Sequence, residues 1–130
     1  MEKIYHIPSS LPTLNEYINA ERTNRYKAAE MKRTAENLLM WHIKMQGIVK
    51  MTRPVQIEYK WIMTDRKKDK DNIAFAKKFI QDALVKMKVL PNDGWNNITG
   101  FTDAFEIGEK AEVIIKITEV RVERQKNWTD

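Results

Sequence analysis

The chain has no cysteine, which excludes disulfides, thiolate zinc sites and cysteine nucleophiles together. No apolar run approaches the ~18 residues of a membrane span. The start, Met1-Glu2-Lys3-Ile4, lacks the apolar stretch of a signal peptide. Internal repeats and low-complexity segments are absent as well. These absences lead to the expectation of a soluble cytoplasmic protein with no membrane partner. What is present fits one compact domain over 1–130: 130 residues, 42% of them hydrophobic, are enough for a packed core. A net charge of +5 and a pI near 9.4 favour an anionic partner, nucleic acid first.

Lys3 to Ile7 reads as an opening strand and Pro8-Ser9-Ser10-Leu11-Pro12 as a turn. Thr13, with Glu16 three residues on, forms a capping-box pattern for a first helix, which Thr23-Asn24 interrupts or restarts. From Arg25 to Gln46, Ala28, Met31, Ala35, Leu38, His42 and Met45 recur at helical spacing, with Leu39 and Ile43 widening the stripe. Gly47 is a natural stop. Arg22, Arg25, Lys27, Lys32 and Arg33 read singly as a solvated face and together as a track for phosphates.

Pro54 to Met63 alternates, with Val55, Ile57, Tyr59, Trp61 and Met63 on one side, as a half-buried strand does. Its Glu58-x-Lys60 triplet matches an element of restriction-type nucleases, but any strand with a polar face yields it. A helix is expected from Asp71 or Asn72 to about Lys88, burying Ile73, Ala76, Phe79, Ile80, Ala83, Leu84 and Met87. Two strands follow, Ile98 to Ile107 and Glu112 to Val122, joined as a hairpin by Gly108-Glu109-Lys110. In the last strand Val113, Ile115 and Ile117 alternate with Ile114 and Lys116, so it is expected to be central or nearly so. Residues 121–130 read as a charged tail.

The chemistry-bearing stretch is Arg66-Lys67-Lys68-Asp69-Lys70-Asp71-Asn72, two acids inside a run of cations. A third acid, Asp93, stands in the turn Pro91-Asn92-Asp93-Gly94. Carboxylates among lysines suit a metal-dependent phosphodiesterase, with oxygen ligands for magnesium and positive charge for the phosphate backbone. Asp69 and Asp71 also suit plain helix capping, and Asp93 a plain turn. A helix from Asp71 to Lys88 runs roughly 25 Å at ~1.5 Å per residue, so Asp93 reaches Asp71 only if the following loop folds back. On a helical wheel Phe75, Lys78 and Asp82 share the side of Asp71, which makes Lys78 available to a cleaved phosphate. The expectation from spacing alone is an i,i+4 ion pair between Lys78 and Asp82.

Asp69-x-Asp71-Asn72, an amphipathic helix containing Asp82-Ala83-Leu84, and a turn with Asp93 together resemble the RusA family of Holliday junction resolvases. Asn15-Glu16-Tyr17 resembles the Asn-x-aromatic element of that family, and the similarity runs from about Ile7 to Val120. Small members of the family are common in phages and prophages. The resemblance implies an α+β fold, a small mixed β-sheet packed with two main helices, in a homodimer. It also implies an endonuclease dependent on Mg2+ or Mn2+ that resolves four-way DNA junctions by paired symmetric nicks, in recombination and repair. Asp69, Asp71 and Asp93 match the family's metal-binding, catalytic acids. The family's lysine falls at Phe75, which leaves Lys78, on the right helical face, as the candidate catalytic lysine. The acid that often precedes the third aspartate is Asn92 here. Asn15, Arg66, Lys67, Lys68 and Lys70 are the candidate DNA-binding residues. Two alternatives stay open: a non-catalytic binder of branched DNA, and a nuclease of broader branched-DNA specificity.

Overall fold

The computed structural model describes residues 1–121. Val122, expected to end the last strand, lies outside them, as does the expected charged tail beyond Arg121. In chain order the elements are β1 (Glu2–Ile7), α1 (Leu14–Thr23), α2 (Arg25–Gln46), β2 (Val55–Met63), α3 (Lys70–Ala74), α4 (Lys77–Lys86), β3 (Ile98–Ile107) and β4 (Glu112–Glu119). The fold is α+β, as the sequence leads one to expect, with helices packed on one face of a four-stranded mixed sheet.

The helix starts follow local chemistry. The Thr13 hydroxyl accepts the Glu16 N–H (3.3 Å) and donates to the Glu16 carboxylate (3.0 Å), fixing the first turn of α1. Asn24 Oδ1 then accepts from the Lys27 N–H (2.8 Å), so the residue ending α1 caps α2. Gly47 closes α2 at φ 96°, a conformation that favours glycine. The first half of the α2 stripe holds at Ala28 and Ala35, and the second half is turned by one position from the expected Leu38 and His42. Ala28, Ala35, Glu36, Leu39 and Ile43 are buried, whereas Met45 is 65% exposed. The sheet lies under Leu39 and Ile43, so these side chains mark the centre of the face and not its margin.

The sheet order is β1-β4-β2-β3. Strand β4 is central, as its apolar pattern suggests, antiparallel to both β1 and β2. Strand β3 runs parallel to β2 at the edge. The expected hairpin between β3 and β4 is therefore wrong. Gly108-Glu109-Lys110 carries the chain across the end of β2, about 10 Å at two strand spacings. Gly108 N–H, bonded to the Met63 carbonyl at 2.8 Å, anchors that crossing. The turn residues advertise a reversal, but β4 pairs both of its edges, and buries Val113, Ile115 and Ile117, in the slot between β1 and β2.

The expected helix from Asp71 to Lys88 is divided. Asp69 stands at the N-cap of α3 without a side-chain cap bond. At Phe75–Ala76 the bonding tightens: Ala76, Lys78 and Phe79 donate to the carbonyls three residues back. The ring of Phe75 sits 5.6 Å from Tyr17 and 5.5 Å from Phe79, so this turn is docked on α1. Beyond α4, Lys88 takes φ 62° and reverses the chain, with Val89 and Leu90 both donating to the Leu84 carbonyl.

Candidate functional site

The reversal at Lys88 turns the segment that carries Asp93 back along α4. Asp93 lines an open pocket together with Ala74, Phe75, Lys77, Lys78, Gln81, Asp82 and Phe101. Ala74 and Phe75 lie one helical turn after Asp71, on its side of α3. The loop after α4 thus folds back along α4 as far as the α3–α4 turn, and the pocket's lining includes Asp93 but neither Asp69 nor Asp71. The three aspartates do not form a closed cage: among the described residues, no three acid or histidine side chains gather as a ready-made cation site. Asp69, Asp71 and Asp93 are all exposed. One Asp71 oxygen accepts the Asn72 N–H at 2.9 Å.

Asn72 explains why Asn15 belongs in this region. Its side-chain oxygen accepts the Asn15 N–H (2.8 Å), tying the first turn of α1 to α3 beside Asp71. Lys68 bridges to the same turn through Glu16, 3.3 Å away. Partial burial works against the charge of Glu16, but the Thr13 hydroxyl and the Lys68 ammonium outweigh it and hold the carboxyl below its usual value. Arg66, Lys67 and Lys70 are exposed on the same loop, and Lys70 lies 5.7 Å from the ring of Phe105.

Phe75, Lys78 and Asp82 share the pocket, as the helical wheel predicts. The expected Lys78–Asp82 ion pair does not form. Asp82 instead faces Lys32 of α2 at 4.0 Å, and Lys78 makes no ion pair among the described residues. Glu58 and Lys60 are outside the site altogether. They lie on the open face of the sheet, paired with Lys116 (3.7 Å) and Glu106 (3.3 Å).

The sequence reading missed one group. On β3, Phe101, Asp103 and Phe105 stand opposite Ile57, Tyr59 and Trp61, and so face the helices. Asp103 Oδ1 accepts from the Trp61 indole (2.8 Å), and its other oxygen takes the Lys77 ammonium. Lys77 also lies 4.1 Å from the Phe101 ring and 5.6 Å from that of Tyr59. Burial pushes the Tyr59 phenol well above its usual value. The bond from Gln81 opposes this and Asp103 adds to it, so Tyr59 stays neutral. The alternation of β2 was the available signal, because placing β3 in register with it puts Asp103 on the helix side.

The donor set suits magnesium better than a cation needing a full protein cage. Magnesium is held by one or two carboxylates and keeps waters and substrate phosphate for its other positions. An exposed Asp93 in an open, lysine-lined pocket, with Asp69 and Asp71 exposed at the start of α3, fits a cation that needs so few protein ligands. No helix among the described residues is long and apolar enough to cross a membrane. No curated protein matches the chain. The family model described as endodeoxyribonuclease RusA matches residues 8–118, from the β1–α1 turn to the end of β4, and the chain belongs to the RusA endodeoxyribonuclease family.

Proposed function

We propose that the protein is a metal-dependent endodeoxyribonuclease that resolves four-way DNA junctions by paired symmetric nicks, acting as a homodimer in recombination and repair. The observation that carries the reading is that Asp93 shares a lysine-flanked pocket with Ala74 and Phe75, the residues one helical turn after Asp71. Asp69, Asp71 and Asp93 would hold Mg2+ or Mn2+, which supplies the activated water and the charge for in-line displacement at phosphorus. The pocket lysines offset negative charge developing on the phosphate as the P–O bond breaks. Arg66, Lys67 and Lys70 bind the backbone on either side without reading sequence, and Asn15 holds the acid loop in place through Asn72. A two-fold dimer would match the near two-fold symmetry of a junction and place both cuts in register.

Phe75 favours keeping the non-catalytic binder as a second reading, because an aromatic packed on Tyr17 and Phe79 stands where the family carries its lysine. Cleavage of a labelled synthetic four-way junction with magnesium, with duplex and flap controls, separates the readings. The expected result is symmetric nicking by the wild type and loss of at least about 100-fold with Asp71→Asn or Asp93→Asn, binding being retained. Junction binding without cutting in either metal defeats the enzyme reading. Equal cutting of flaps and junctions shows broader branched-DNA specificity.

A further inference from the structure

Lys78, the lysine that the helical wheel selects, is exposed and has no ion-pair partner among the described residues, whereas its neighbour Lys77 is held from several sides. The Lys77 side chain is 18% exposed and that of Asp103 is 21% exposed, on the edge strand of the sheet. Asp103 is itself fixed by the Trp61 indole, and Trp61 is fully buried and stacked on Tyr59 at 5.6 Å. The faces of Phe101 and Tyr59 flank the Lys77 ammonium. Lys77 and Phe101 both line the pocket that carries Asp93.

Resting on the nuclease reading above, we propose that Lys77 is the pocket's phosphate-stabilising cation and that Asp103 is its positioning residue, acting through Lys77 and held by Trp61. An ammonium has three N–H donors. Asp103 takes one, and the aromatic faces tolerate the positive charge without consuming the others. A free lysine must give up rotamer freedom to stay on a phosphate. Lys77 has already lost that freedom in folding, so its charge is aimed before the substrate arrives, which is what makes fixed dipoles and charges effective in a transition state. The tightened turn at Phe75–Ala76 contributes to this placement. Steps that bond three residues back turn the chain by about 120° each, against about 100° in an α-helix. Lys77, the first residue of α4, follows that turn and comes to line the pocket beside Lys78. The same turn leaves Phe75 free to serve as packing.

The absence of cysteine makes a clean test possible. In Lys77→Cys the only thiol is at position 77, and alkylation with 2-bromoethylamine converts it to a thioether with a terminal ammonium, a near-copy of lysine. Lys78→Cys is treated in parallel. The readouts are single-turnover junction cleavage, junction affinity and thermal melting. Lys77→Cys is expected to lose about 100-fold in the cleavage rate with affinity within threefold of wild type, and alkylation restores at least a tenth of the wild-type rate. Asp103→Asn is expected to lower the rate without changing affinity, and Asp103→Glu to recover part of it. Full cleavage by Lys77→Cys, a loss confined to Lys78→Cys, or alkylation that restores melting without restoring cleavage overturns the proposal. Wild-type protein assayed alongside separates the two levels. If it cuts and Lys77→Cys cuts equally, only the assignment of Lys77 fails. If it binds and never cuts, the nuclease reading fails and takes this assignment with it.

Discussion

Glu36 sits on the buried face of α2 with its side chain 5% exposed, and Lys86 of α4 reaches one of its oxygens. The other oxygen has no hydrogen-bond partner among the described residues, and Lys32 stands 4.0 Å from it. Replacing Lys86 by methionine keeps most of the side-chain length and removes the charge. Two unit charges at 4 Å attract by about 4 kcal/mol at an effective dielectric of 20. Lys86 is half exposed, so solvent screens a substantial part of this, and Lys32 remains to offset some of what is lost. A cost of about 2 kcal/mol follows, below the ~3–5 kcal/mol for breaking a fully buried pair. In a chain of this size it lowers Tm by roughly 8 °C. Urea unfolding at pH 7 measures it directly. The companion variant, Glu36→Met with Lys86→Met, is expected to be more stable than Lys86→Met alone, because an apolar pair leaves no stranded charge. The reasoning is refuted if Lys86→Met falls within about 0.5 kcal/mol of wild type, or if the double variant is the less stable of the two.

Gly108→Ala places a methyl 2.7 Å from Ile62 Cγ2, a stiff β-branched side chain, and is expected to cost about 1–3 kcal/mol in the same unfolding assay; an unchanged midpoint counts against the crossing geometry. Glu119 accepts the N–H groups of Thr52 (2.8 Å) and Arg53 (3.0 Å), and these bonds, that of Thr52 first, hold its carboxyl below the usual value. A depressed folded-state pKa stabilises above the unfolded value of ~4.3 and is lost as pH falls through the folded one. Glu119→Gln is therefore less stable than wild type at pH 7, and the gap narrows as pH falls toward 3; an equal gap at both pH values contradicts the sign. Trp95 is 94% exposed, so Trp95→Ser is expected to shift unfolding by less than about 0.5 kcal/mol. A protein-concentration-dependent loss would show that a second copy covers the ring.

Patterns carried on a single element were legible before the structure. The alternation of β2 predicts Val55, Ile57, Tyr59 and Trp61 as its inner face, and Thr13, Asn24 and Gly47 mark helix ends by their own chemistry. The Asp69-x-Asp71-Asn72 and Asp93 stretches were enough to identify the family. What escaped depended on contacts far apart in the chain. Phe75 and Ala76 are ordinary helix residues, and only docking on Tyr17 shows why the helix tightens there. Gly108-Glu109-Lys110 has the composition of a hairpin turn, and only the competition for the slot beside β2 decides otherwise. Lys77 and Asp103 are 26 residues apart, and nothing local marks either as the other's partner. The reach of Asp93 was left undecided for the same reason, since the reversal at Lys88 is a left-handed residue that no glycine announces.

The sheet's middle strand is also its last in sequence, with β1 on one side and β2 on the other. Synthesis proceeds from the N-terminus, so both neighbours emerge before the strand that joins them. Until Glu119 has left the ribosome, β1 and β2 each present an edge with unmatched N–H and C=O groups, and the helices have no completed floor to pack on. The bond from the Glu119 N–H to the Met1 carbonyl then clasps the first residue to the end of β4. Folding is thereby deferred to a single late event with high contact order. Without β4, β1 has no neighbour and β2 keeps an open edge, so the fold that carries the candidate site is complete only with the closing strand.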